Sequence, residues 1–148
     1  MSAWVKILLS ALSAAGIGLS FRIRGKNLWL AGLCGGVTRG VLIVLGNAGL
    51  SVFATTLLAA GLASLLGQIL AQVRRVPPNY FIYAAILPML PGGQFYRTMA
   101  ALVARDRAAF LAAGSQTLLT VMGMSIGFVL SSTAVYYLHV FRERDPKA

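Results

Sequence analysis

Five apolar stretches, each close to the length that crosses a bilayer as a helix, limit what this chain folds into. A hydrocarbon core about 30 Å thick takes roughly 20 helical residues. The stretches run over 4–21, 28–45, 51–73, 80–104 and 108–141, and most of the charge lies between them. Helices that are apolar on every side, in a chain of 148 residues, need lipid as part of their solvent. The totals agree: 58% of residues are hydrophobic and 11% charged, with mean hydropathy +0.80, where a soluble domain carries about a quarter charged. The expected fold is an all-α integral membrane protein, a single transmembrane helical domain over 1–148 with about five spans.

The segments between the stretches carry helix-end signals. Gly46-Asn47-Ala48-Gly49 reads as a tight uncharged turn joining an antiparallel pair. Arg74-Arg75-Val76-Pro77-Pro78-Asn79 closes the third span, because tandem proline cannot continue a helix. The fourth span is broken by Pro88-Met89-Leu90-Pro91-Gly92-Gly93; a re-entrant course there would leave four spans. Asp106 stands where a cap for the fifth span belongs. That last stretch exceeds one crossing, so it must tilt, kink near Gly123 or Gly127, or project past the membrane. The N-terminal run reads as a retained span, since its charge follows it at Arg22, Arg24 and Lys26, the wrong side for a cleaved signal.

The formal net charge is +10, from 13 basic against 3 acidic residues. No basic residues interleave with aromatics as a nucleic-acid stacking platform requires, so nucleic acid is not an expected partner. Arg22, Arg24, Lys26, Arg74, Arg75, Arg142, Arg144 and Lys147 fall on one side of a five-span arrangement, with Lys6, Arg105 and Arg107 on the other. The positive-inside rule then puts the C-terminus in the cytoplasm and the N-terminus outside, in the cell (inner) membrane. The same residues attract anionic lipid head groups. Trp4, Phe21, Trp29, Tyr80, Tyr136, Tyr137 and Phe141 fit interfacial belts.

Two features carry the candidate chemistry. Arg39 is the one strongly ionised residue deep in a span, near the middle of the second stretch on the face of Gly32, Gly35 and Gly36. Such a residue faces protein or water and has a partner. A substrate carboxylate bound in bidentate fashion is one such partner; the plain alternatives are snorkelling or pairing with backbone carbonyls at the broken helix. The break at Pro88–Gly93 is the second feature. Pro91 ends a half-helix, Gly92 and Gly93 let the chain turn, and the exposed amides of the next half-helix favour anions. Interrupted helices near the midplane recur at transporter sites, with an ordinary proline kink as the alternative. Tyr96 and Thr98 are expected to offer hydroxyls to the same cavity, and Arg97 to lie there or at the outer interface.

Stripes of small residues, among them Gln116, Thr120, Gly123 and Gly127 on the fifth span and Thr56, Ala60 and Ser64 on the third, read as helix-packing grooves or pathway linings. Cys34, the single cysteine, reads as a packing residue. The carboxylates Asp106, Glu143 and Asp145 lie at span ends, and His139 near the end of the last span. No carboxylate pair, metal cluster or nucleophile–base set assembles from them, so neither an enzyme nor a bound metal or cofactor is expected. A buried carboxylate for ion coupling would come from a partner.

Pro88-Met89-Leu90-Pro91-Gly92, followed by Tyr96 and Met99, resembles the threonine/serine exporter family, and most closely the short membrane subunit of its two-polypeptide form. The spacing from Trp29 to the break, the Arg/Pro loop before Tyr80 and the long last span with its basic tail fit the same pattern. The motif carries over Pro88, Pro91, Gly92 and Tyr96. The resemblance implies a larger companion subunit, a homo- or hetero-oligomer, and export of a small anionic or zwitterionic substrate: threonine and serine, or dicarboxylates such as succinate. The alternatives are a scaffold or assembly subunit that transports nothing, and a homo-oligomeric anion channel ringed by Arg39.

Overall fold

The structure, a computed structural model, describes residues 2–23 and 25–144, with side chains described through Leu138. The expectations for Arg24, Asp145 and Lys147, and for the side chains of His139, Phe141, Arg142, Glu143 and Arg144, fall outside it. Among the described residues every regular element is helical: α1 (Ala3–Ser20), α2 (Lys26–Asn47), α3 (Val52–Arg74), α4 (Asn79–Ile86) running into a 3₁₀ turn (Leu87–Met89), α5 (Gly92–Val103) and α6 (Arg107–Arg144). Four of them, α1, α2, α3 and α6, are long and apolar enough to cross a membrane. Helices α4 and α5 are the two halves of the interrupted fourth stretch.

The helix ends have local causes. Ser51 Oγ accepts the Ala54 amide at 3.3 Å and starts α3. Asp106 Oδ1 accepts the Ala109 amide at 3.0 Å and starts α6, as its position in the sequence suggests. Helices α1, α3 and α5 end alike, with an arginine in the left-handed region: Arg22 (φ 58), Arg75 (φ 52) and Arg105 (φ 56). In each, the next amide reaches back five residues, as Val76 does to the Ala71 carbonyl at 3.0 Å. Glycine is the usual residue at this cap; an arginine there sets a cation against the negative helix end. The turn after α2 lies one step later than expected. Gly46 and Asn47 remain helical, and Gly49 (φ +80) makes the reversal.

Small residues bring the helices together, since lipid supplies no hydrophobic drive between them. Helix α1 packs antiparallel on α2: a methyl at Gly35 would collide with the Ala14 Cβ and meet the Ser10 carbonyl at 3.2 Å. Ser10 Oγ donates to the Gly35 carbonyl at 3.2 Å. Helix α4 packs against α1, α2 and α3, with Phe81 fully buried and Gly67 against the Ile82 backbone. Cys34 joins Ala59, Ala60, Ala63, Ala85, Met89 and Met124 in the core between these helices. On α6, Gly123 and Gly127 lie against Thr56 and the Leu57 backbone of α3, and Ser64 and Ser132 hydroxyls meet at 3.4 Å. Both glycine stripes are therefore packing surfaces.

The contacts also set the vertical register. Thr56 faces Gly123 and Ser64 faces Ser132, so α3 and α6 run parallel, and Val52 borders the same cleft as Thr120. Helix α3, at 23 residues, is about 34 Å long, whereas the 38 residues of α6 extend about 57 Å. The surplus extends beyond the α2–α3 turn as one uninterrupted helix. Helix α5 runs outward along that extension, antiparallel to α6, with Thr98 meeting Thr117 at 3.3 Å and Thr120 meeting Gln94 at 3.2 Å. Among the described residues α5 packs on α6 and on no other helix. The molecule thus has a bundle of bilayer thickness and a two-helix arm at one end of it.

Candidate functional site

A cleft of about 430 Å³ opens where the arm leaves the bundle. Arg39 and Leu42 of α2, Val52 and Thr56 of α3, and Thr120 of α6 form its bundle side. The break contributes Met89, Pro91 and Gly93, and the first turns of α5 contribute Gln94 and Arg97. Arg39 lies eight residues before the last residue of α2, Asn47, which places it about 12 Å from that helix end, off-centre toward the arm. Pro91 shares the cleft with Val52 and Thr56, the start of α3, so the interruption too lies nearer the turn-side end of the bundle than its mid-height. The reason is the connectivity: α4 enters at the basic end and packs up the lower part of α3 before Pro88 and Pro91 stop it.

The break is made by proline, not by glycine. Leu90 takes φ −54 and ψ 131, and Pro91 φ −79 and ψ 49. Gly92 and Gly93 are helical residues, and a Cβ on either would meet no heavy atom within 4 Å. Their effect is to leave the backbone uncovered rather than to turn it. The carbonyls of Leu90 and Pro91 already accept the amides of Gly92 (2.8 Å), Gln94 (3.0 Å) and Phe95 (2.9 Å). Gly93 is left as the first-turn amide of α5 with no acceptor among the described residues, one open donor where the sequence suggested several.

The cleft is cationic. Arg39 is half-buried and Arg97 exposed; neither has a carboxylate partner among the described residues, and no acidic residue lines the cleft. Thr120 Oγ1 donates to Gln94 Oε1 at 3.2 Å and ties the start of α5 to α6, which leaves the Gln94 amide nitrogen as a donor. Thr56 Oγ1 bonds to the Val52 and Phe53 carbonyls within its own helix. Two guanidinium groups, an amide donor and an open backbone N–H suit an anionic group with several acceptor oxygens.

Of the residues singled out in the sequence, Arg39, Pro91 and Gly93 line this cleft together. Pro88 sits half-buried in the 3₁₀ turn and Gly92 is exposed; neither lines it. Tyr96 is 75% exposed outside the cleft. Thr98 is buried and fastens the arm, bonding to the Gln94 carbonyl at 2.9 Å and to Thr117. Neither hydroxyl reaches the cavity expected of it, because one helical turn past Gly93 carries Arg97 to the cleft and turns its neighbours away. Gln94 was not among the candidates, while Thr56 and Thr120 were named only in stripes that read as packing grooves or pathway linings. Arg97 takes the first of the two places expected of it, and Gln94, one turn before it and immediately after the break, could have been found by that spacing.

An interrupted helix beside an arginine with no carboxylate partner among the described residues is an arrangement that recurs in helical transporters. The sequence profile of the threonine/serine exporter family, ThrE, matches residues 6–134. The chain belongs to that family. No solved structure matches it.

Proposed function

We propose that this chain is the membrane subunit of a secondary exporter for small carboxylate-bearing metabolites, with the passenger's carboxylate held between Arg39 and Arg97. The observation that carries this reading is the meeting of two unpaired guanidinium groups in one cleft at the helix interruption. Arg39 belongs to the bundle and Arg97 to the arm, so a passenger bound to both couples the two bodies across Pro91. Movement of the arm about that proline would open the cleft to one side or the other.

Dicarboxylates such as succinate fit the cleft better than threonine or serine. Both guanidinium groups then gain a carboxylate, whereas the ammonium of an amino acid finds no acidic acceptor among the lining residues. An amino-acid passenger would take that acceptor from another chain. A larger companion subunit completes the pathway in this reading, in a homo- or hetero-oligomer, and supplies any carboxylate for ion coupling. The clustering of Arg22, Lys26, Arg74 and Arg75 at one end supports an inner-membrane orientation with that end, and the C-terminus, in the cytoplasm.

Export from host cells carrying Arg39→Gln, Arg97→Gln or the arm-tip variant Arg105→Gln tests the reading. Losing one charge-assisted interaction of about 1.5–3 kcal/mol lowers export roughly ten- to a hundredfold. Arg105→Gln leaves it unchanged. Full export by both cleft variants at normal protein levels would reduce the chain to a scaffold for a partner that holds the passenger.

A further inference from the structure

A second cleft, of about 530 Å³, lies at the opposite end of the bundle between the start of α2 and the end of α3. We infer that it binds the head group of an anionic phospholipid. Its charged members are Lys26 and Arg74, and its remaining wall is apolar, with Leu30, Ile69 and Val73 running along the two helices. Arg74 Nε donates to Asn27 Oδ1 at 2.9 Å. That bond ties the guanidinium to α2 beside Lys26 and leaves its terminal N–H groups free to fork onto phosphate oxygens. No acidic residue lines the cleft. The first turn of α2 has no side-chain cap among the described residues, and the helix start adds positive potential there.

The occupant follows from this division of chemistry. A soluble anion would use the two cations but not the apolar wall, and a zwitterionic lipid would bring its own ammonium beside Lys26 and Arg74. An anionic phospholipid places its phosphodiester between the cations and its chains along Ile69 and Val73, which are 52% and 75% exposed. Trp29, 80% exposed on the same rim, stands at the head-group level that tryptophan prefers. The site is independent of the arginine cleft, which lies at the other end of α2 and α3. Its occupant would clamp these two helices together at their open end, where no loop joins them.

The test uses the full chain purified in detergent, with phosphatidylglycerol, phosphatidylcholine or inorganic phosphate added, and reads retained lipid by native mass spectrometry beside thermal stability. Wild type retains phosphatidylglycerol in preference to phosphatidylcholine and is stabilised by it. Lys26→Gln and Arg74→Gln each weaken that preference about fivefold, the effect of one cation near a lipid surface, and Arg105→Gln leaves it intact. Should the Arg74 variant fail to assemble, Lys26→Gln, at the exposed first residue of α2, carries the test alone. Equal retention of both lipids, equal loss with Arg105→Gln, or full stabilisation by inorganic phosphate overturns the assignment.

Discussion

Gly127→Ala is the sharpest structural test of how this bundle holds together. An added methyl would overlap the Leu57 carbonyl oxygen, with the Leu57 carbonyl carbon at 3.0 Å and the Gly61 amide nitrogen at 3.1 Å behind it. All are backbone atoms of α3, and none can rotate aside. Ordinary contact requires α3 and α6 to part by on the order of 1 Å, a gap that forfeits a quarter to a half of each dispersion contact along the seam. The Ser64–Ser132 contact, already 3.4 Å, goes with it. Overpacking of this kind costs about 1–3 kcal/mol, an interhelical hydrogen bond in a membrane about 0.6, and the better helix propensity of alanine returns up to about 1. The net loss is about 0.5–3 kcal/mol. Gly93→Ala makes the same chemical change where no atom lies within 4 Å, so it is neutral or stabilising by up to about 1 kcal/mol. Thermal unfolding in detergent, followed by tryptophan fluorescence, separates the two variants. Equal midpoints would refute the claim that backbone contact at Gly127 holds α6 to α3.

Other variants probe single features. Arg75→Gly relieves a left-handed non-glycine residue and raises stability by about 1 kcal/mol in the same melts. Thr55→Val removes a buried hydroxyl that has no hydrogen-bond partner among the described residues and leaves stability unchanged or up to about 1 kcal/mol higher, whereas a loss of more than about 1 kcal/mol would mean the hydroxyl has a role. Thr120→Val frees Gln94 from α6; it lowers export several-fold while leaving the melting midpoint within about a degree, as measured in cells and in detergent.

The helical character, the four long apolar helices and the break were legible because each rests on local chemistry: apolar length, tandem proline, a capping aspartate. The α2–α3 turn was misplaced by a residue or two because Gly46 and Asn47 tolerate helix, and the left-handed position that decides the matter is Gly49. The arm was not legible in full. That the last helix exceeds one crossing follows from its length, but which half extends beyond the α2–α3 turn depends on Gly123 and Gly127 docking near the start of α3, a tertiary register that hydropathy does not encode. The same register explains the cleft. Arg39 announced itself as a charge among apolar residues, while Arg97 could have faced cavity or interface until α5 was seen to lie on α6. Tyr96 and Thr98 were grouped with the break by proximity in sequence, but helical geometry sends one outward and buries the other.

The central claim is that a carboxylate-bearing passenger occupies the cleft between Arg39 and Arg97. Cys34, the single cysteine, is 5% exposed in the core, so a cysteine introduced by Gly93→Cys is the accessible thiol among the described residues. Its rate of modification by a small charged thiol reagent, measured in membranes of the producing cells, reads occupancy of the cleft directly. Succinate at saturating concentration is predicted to slow that rate at least threefold, and Arg39→Gln in the same background to abolish the protection. A rate that no candidate passenger alters, or protection that survives the loss of Arg39, would contradict the account.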